Sequence, residues 1–168
     1  MTTLASVDTL VQQMSDDLRA ELKRRQVDAP AIIGIHSGGA WIAEALHRKL
    51  APETPLGTLD IAFYRDDVGT RGVHPQVRPS NLPFSVDDRD IILVDDVLYS
   101  GRTVRAALNE IFDFGRPRRV LLAVLVDRGE RELPIAADVV GARITLSDGQ
   151  RVKLHGPSPL ELTIQDAA

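Results

Sequence analysis

The sequence predicts an α/β fold: about five mostly parallel strands flanked by helices, with a lid loop and a small C-terminal hairpin. Three observations predict it. Short continuous apolar runs stand at 31–35, 91–94 and 120–126, the mark of strands buried on both faces. Segments with apolar residues at helical spacing separate these runs. Small-residue loops follow two of the runs, as strand-to-helix connections require. Alternating strands and helices give a doubly wound parallel sheet, because such crossovers pack back on it with one hand.

At 168 residues the chain is expected to form a single domain, 1–168, with a substantial core. Apolar residues make up 43%, and the net charge of −4 offers no general attraction to nucleic acid, so no DNA partner is expected. The absence of cysteine excludes disulfides, thiol catalysis and cysteine zinc sites. No apolar run approaches a membrane span, and acids and Gln interrupt the N-terminal segment where a signal peptide would stand. A cytoplasmic protein with no membrane partner is expected.

In chain order, residues 6–26 read as an amphipathic helix. Ser6 or Asp8 can cap it, and Val7, Leu10, Val11, Met14, Leu18 and Leu22 form one face. After Pro30, Ala31–Ile35 is a buried strand, followed by His36-Ser37-Gly38-Gly39 and a helix over 40–50. Taken alone, that glycine loop fits either an anion site or a tight turn. Leu56–Tyr64 is a third strand candidate. From Arg65 to about Pro83 the chain is polar, with Gly69, Gly72, Pro75 and Pro79 and the cations Arg71, His74 and Arg78. A connection this long fits a lid over a polyphosphate or a solvated hairpin.

The stretch Ile91–Thr103 organises the rest. Ile91-Ile92-Leu93-Val94 forms a strand, and Asp95 and Asp96 follow where it is expected to end. Tyr99-Ser100-Gly101-Arg102-Thr103 then turns into a helix through Val104, Ala107, Leu108 and Ile111. Unpaired N–H groups at that helix start, the Ser100 and Thr103 hydroxyls and the Arg102 charge suit a phosphate. The paired acids suit sugar hydroxyls or a hydrated Mg²⁺. Both ends together fit a phosphorylated sugar.

Gly115 and Pro117 end that helix. Val120–Val126 is a buried strand running into Asp127-Arg128-Gly129-Glu130-Arg131-Glu132, and Asp138-Val139-Val140-Gly141 opens another short extended segment. The tail is expected to form a hairpin from Arg143–Leu146 and Arg151–Leu154, turning at Asp148-Gly149; His155–Ala168 carries no clear pattern.

The 91–103 stretch resembles the ribosyl-phosphate-binding motif of the type I phosphoribosyltransferases. Phe63-Tyr64-Arg65-Asp66-Asp67, the central motif with Arg105-Ala106-Ala107, Gly115-Arg116-Pro117, Leu122 to Gly129, and Arg131 to Ile135 narrow the likeness. From about Ile32 to Gly141 the chain resembles the PyrR family of uracil phosphoribosyltransferases and pyrimidine operon regulators. The resemblance implies the type I phosphoribosyltransferase fold and the reaction of uracil with PRPP to give UMP and pyrophosphate, with Mg²⁺. It implies that Asp95 and Asp96 are the catalytic acids, holding the ribose hydroxyls and a metal through water. Tyr99, Ser100, Gly101, Arg102 and Thr103 would bind the 5′-phosphate, and His36, Ser37, Gly38 and Gly39 the pyrophosphate. Arg65, Arg71 and Arg78 would lie in the lid. Val126, Asp127, Asp138, Val139 and Val140 would line the base. Self-association as a dimer or higher oligomer is implied too.

Three positions sharpen the expectation. Purine-salvage relatives carry an Asp three residues after the second acid; here Tyr99 stands there, which favours a pyrimidine. Many PyrR members have Lys-Thr-Arg-Gly in the pyrophosphate loop, and this chain has His36-Ser37-Gly38-Gly39. A titrating His in place of Lys predicts PRPP affinity that weakens as pH rises through the His36 pKa. In the segment that contacts RNA in regulatory members, Glu130, Ala136 and Ala142 replace basic residues, while Arg131 and Arg143 remain. Lost cations weaken phosphate contacts, so RNA attenuation is expected to be weak or absent. A regulator that uses the nucleotide site only as a sensor, and a transferase for another base, stay open as alternatives.

Overall fold

The computed structural model describes residues 3–50, 53–61 and 80–166. Its larger sheet has five strands in the order β2-β1-β3-β4-β5, all parallel: β1 Ala31–Ile35, β2 Leu56–Leu59, β3 Asp90–Leu98, β4 Arg119–Asp127 and β5 Val139–Arg143. Helices α1 Val7–Arg24 and α2 Gly38–Leu50 pack on one face, and α3 Arg102–Phe114 on the other.

The period of two explains how one apolar run serves both layers. Ile92 and Val94 of β3 point into the core under α1 and α2, with Leu10, Met14 and Leu18. Ile91 and Leu93 point the other way, against Val104, Ala107 and Ile111 of α3. Ser6 caps α1 as expected, its Oγ accepting the Thr9 N–H at 3.2 Å.

Four expectations need correcting. The helix after β1 begins at Gly38, two residues before the expected start, so both glycines form its first turn. The acid pair lies within β3, which continues to Leu98. β2 is described only over Leu56–Leu59, and the expected strand residues 62–64 lie outside the described residues.

The fourth correction concerns the hairpin. Asp148-Gly149 does turn, with Gln150 N–H donating to Ser147 O at 3.0 Å. Arg143, however, is already the parallel partner of Asp127 at the end of β5. The antiparallel pair is β6 Gln150–His155 with β7 Glu161–Asp166, joined across Gly156-Pro157-Ser158-Pro159. Val152, Leu154, Leu160 and Leu162 pack it on the α1–α2 core.

Beside α3, Ser80 ties two elements together. Its Oγ accepts the Asp60 N–H at 2.9 Å and donates to Glu110 of α3. Burial raises the Glu110 carboxyl above its ordinary 4.5; the Ser80 bond opposes this and the charges of Asp60 and Asp113 reinforce it. The folded state therefore binds a proton more tightly than the unfolded chain. Stability is expected to fall as pH rises from 4.5 through the raised value. In thermal melts from about pH 4 to 8, Glu110→Gln is expected to lose that slope and melt higher than the wild type at neutral pH.

Candidate functional site

Parallel strands put their carboxyl ends on one edge, where the following loops gather. At that edge β1 runs into His36–Gly39, β3 into Tyr99–Thr103, and β4 into Arg128–Ile135. His36 N–H donates to Leu59 O at 2.9 Å, which fixes the first loop to β2. The His36–Ser37 peptide is cis.

The first loop and the acid pair are in direct contact. A Cβ on Gly39 would stand 2.6 Å from Val94 O and 2.9 Å from Asp95 Cα. A Cβ on Gly38 would run into Asp96 Oδ2. Only glycine lets the first turn of α2 approach β3 this closely. The expected pyrophosphate loop and the expected catalytic acids thus share one wall, with the N–H groups of a helix start beside them.

The acids are held by their own backbone. Asp95 Oδ1 accepts the Asp96 N–H and Asp96 Oδ1 accepts the Val97 N–H, both at 2.9 Å. Asp95 is 5% exposed and Asp96 more open. These bonds orient each carboxylate along the strand. Among the described residues no group of three or more His, Cys, Asp or Glu side chains could hold a metal. Two adjacent carboxylates are a donor set that would take Mg²⁺ through water and substrate oxygens.

The Tyr99–Thr103 loop, expected to bind the 5′-phosphate, turns tightly from β3 into α3. Gly101 adopts φ +94°, a left-handed conformation glycine takes without strain, and precedes the first turn of α3. Ser100 Oγ accepts the Arg102 N–H at 3.2 Å. Arg102 does not face the loop alone: its Nε donates to Glu132 Oε2 at 2.7 Å. Tyr99 is 44% exposed, and Arg128 stacks over its ring at 4.0 Å.

The remaining expected site residues divide. Val126 and Asp127 pair with Val97 and Leu98, beside the acid pair. Val140 shares a cross-strand row with Val124 and Asp95, two strands away or about 10 Å. Asp138 is not brought to this edge. Its Oδ2 accepts the Leu122 N–H at 2.8 Å and its Oδ1 pairs with Arg25 at 2.9 Å, several residues back toward the amino end of β4. Val139 is 3% exposed, its side chain in the core against α1 and α2. The short extended segment is parallel to β4, with Val139 opposite Ala123, which sets 138–139 back from the strand ends where the base was expected. Arg65, Arg71 and Arg78 lie outside the described residues.

Arg131 is a strut. Its Nε donates to Ile135 O, and its two terminal nitrogens donate to Tyr99 O and to Asp127 Oδ2, each at 2.8 Å. Arg143 also reaches Asp127, at 3.5 Å. Burial pushes the Asp127 carboxyl up, but the Arg131 and Gly129 hydrogen bonds and the two arginine charges together outweigh it and hold the carboxyl below its ordinary 3.8. Sequence reasoning missed Arg128 and Glu132 as neighbours of the phosphate loop. The signal was present: every residue from 127 to 132 except Gly129 is charged, directly after a buried strand.

A phosphoribosyl transferase domain model matches residues 3–153. The chain is 58% identical over 153 residues to the "Bifunctional protein PyrR" of Pseudomonas aeruginosa, covering 91% of this chain and 90% of that one. It is 52% identical over 166 residues to the protein of the same name from Pseudomonas fluorescens, covering 99% of both. The chain belongs to the PyrR family of phosphoribosyltransferases. Solved structures agree on the fold. A hypoxanthine-guanine phosphoribosyltransferase from Bacillus anthracis superposes with a TM-score of 0.68 at 19% identity, covering 86% of this chain and 84% of that one. A hypoxanthine phosphoribosyltransferase from Staphylococcus aureus gives 0.63 at 20% identity, with 86% and 78% covered. The PyrR relatives and the type I fold confirm the fold class expected from the 91–103 motif and the family expected from the likeness over 32–141. No described helix is long and apolar enough to cross a membrane.

Proposed function

We propose that the chain transfers the phosphoribosyl group of PRPP to uracil in the cytoplasm, giving UMP and pyrophosphate. The observation that carries this reading is the contact of Gly38 and Gly39 with Asp96 and Asp95. It sets the first turn of α2 against a pair of carboxylates, and the Tyr99–Thr103 loop follows on the same strand. PRPP has a diphosphate at C1′, hydroxyls at C2′ and C3′ and a phosphate at C5′, in matching order.

In this reading the N–H groups around Gly38 and Gly39 hold the leaving diphosphate. Asp95 and Asp96 bind the ribose hydroxyls, and their charge favours the cationic sugar of the transition state. Mg²⁺ bound with PRPP supplies charge neutralisation on the diphosphate. The C1′–O bond breaks with its electron pair leaving on pyrophosphate, the C1′–N1 bond forms, and the uracil N1 proton passes to solvent. The backbone at Val126, Asp127 and Val140 reads the base. Tyr99 occupies the place from which a purine-specific carboxylate would act.

The name of the relatives speaks of two functions, and RNA is the other candidate ligand. Arg131 spends its guanidinium on three internal acceptors, and Glu130 adds an exposed acid. We therefore propose weak or absent RNA attenuation, with the enzyme acting as a self-associated dimer or higher oligomer.

Initial rates with PRPP and Mg²⁺ against uracil, orotate, hypoxanthine and guanine test the reading. Turnover of uracil above the others is expected. Preference for a purine, or no turnover together with uridine-nucleotide-dependent RNA binding at nanomolar concentration, would replace it. In the same assay the KM for PRPP is expected to rise between about pH 5.5 and 8 as His36 loses its proton. A flat profile would remove His36 from diphosphate binding.

A further inference from the structure

Residues 128–135 are fastened to the phosphate loop at several points. Arg128 N–H donates to Leu98 O at 3.0 Å. Glu132 and Leu133 N–H groups both donate to Ser100 O, at 2.9 and 3.0 Å. Ile135 lies under Gly101, where an added Cβ would come within 3.0 Å of it. Arg131 connects these points to the sheet, because one guanidinium bonds Asp127 at the end of β4, Tyr99 O in the phosphate loop and Ile135 O in the segment itself.

We propose that Arg131 is a positioning residue for phosphoribosyl transfer: it locks the Tyr99–Thr103 cradle to the end of β4, and so sets the distance between the phosphate end of the site and the base end. This rests on the proposed function for its catalytic consequence, though not for its structural one. Planar guanidinium geometry matters here. Three acceptors lie in divergent directions around one group, which a lysine ammonium on a flexible stem does not reproduce. The same commitment takes Arg131 out of the set available to an external phosphate. Aligned reactants are sensitive to such a lock, since a displacement of about 1 Å in a bound substrate can lower the rate by about 100-fold.

The test compares wild type, Arg131→Lys, Arg131→Gln and Arg131→Ala by amide hydrogen exchange without ligand and by initial rates with PRPP, Mg²⁺ and uracil. In Arg131→Gln, exchange at 99–103 and 128–135 is expected to accelerate about tenfold or more while β1 and α1 keep their protection. The kcat/KM for PRPP is expected to fall about 100-fold in the Gln and Ala variants and to remain at least about tenfold down in the Lys variant. Millimolar guanidinium, well below denaturing concentration, is expected to restore part of the Ala variant's activity, and methylammonium none. Unchanged exchange in the loop, or uniform acceleration over the whole chain, would overturn the proposal. So would a Lys variant with wild-type kinetics. If the Ala variant does not fold, Asp127→Asn carries the same test, since it keeps the arginine and weakens one of its three attachments. A wild type that turns over no uracil would count against the proposed function, while the exchange result would still decide the lock.

Discussion

Replacing both acids, Asp95→Asn with Asp96→Asn, is expected to lower the kcat of phosphoribosyl transfer by at least about 100-fold while leaving the fold intact. The two expectations come from different atoms. Each aspartate uses one oxygen to accept a backbone N–H, from Asp96 and from Val97. An asparagine keeps a carbonyl oxygen that makes the same bond, so the β3 backbone stays in place. With those backbone bonds kept, the melting temperature is expected to stay near that of the wild type. What disappears is the negative field at the sugar. Removing one preorganised electrostatic group typically lowers kcat by about 10² to 10³-fold, and groups that act as a unit are not additive. Each single variant is therefore expected to lose at least about 100-fold in kcat, and the double variant not much more than the worse single one. Circular dichroism, thermal melts and initial rates separate the two effects. A folded double variant with near wild-type turnover would mean that the acids do not touch the reacting sugar.

The second large effect is expected at the glycine pair, where the two positions should fail differently. A methyl group at Gly38 meets mainly the Asp96 carboxylate, which can turn aside, and stands 3.0 Å from the Asp96 Cβ, where a shift of a few tenths of an ångström suffices. Gly38→Ala is therefore expected to fold nearly as well as wild type, with a displaced acid and kcat/KM for PRPP reduced by about 100-fold. A methyl group at Gly39 meets the Val94 carbonyl oxygen and the Asp95 Cα, which are backbone and cannot yield without moving β3. Gly39→Ala is expected to destabilise the protein by about 1–3 kcal/mol and to be inactive. Denaturant melts paired with initial rates check both. A Gly39→Ala variant as stable as wild type would show that α2 and β3 are not pressed together as described.

Much of this was legible in the sequence, because it is encoded by local pattern. The continuous apolar runs at β1, β3 and β4 could only be buried on both faces, and that alone implied helices on either side. The Asp95–Thr103 motif combines a strand, paired acids and a small-residue turn within a few residues, so its chemistry needed no long-range contact to read. Information that depends on distant partners was not legible. The hairpin was misplaced because a turn signal at Asp148-Gly149 does not say which strands flank it; β4 had already claimed Arg143. β7 does carry a strand signal, Leu162 and Ile164 alternating with Glu161, Thr163 and Gln165, but it is short and lies beyond the turn that was taken to close the hairpin. Asp138 looked like part of the base site, yet its position was decided by pairing with β4 and by Arg25, which is 113 residues away. Arg131 is fixed in part locally, by Asp127 and Ile135 four residues to either side, but its third acceptor, Tyr99 O, is 32 residues away and gives no local signal.

In the proposed site the glycine turn, the acid pair and the Tyr99–Thr103 loop hold three parts of one PRPP molecule. A crystal structure with PRPP and Mg²⁺ bound tests it most directly. The account predicts the diphosphate against residues 36–39, the ribose hydroxyls within hydrogen-bond distance of Asp95 and Asp96, and the 5′-phosphate on the amides of 99–103. PRPP bound at another place, or with its 5′-phosphate in the 36–39 turn, would contradict it.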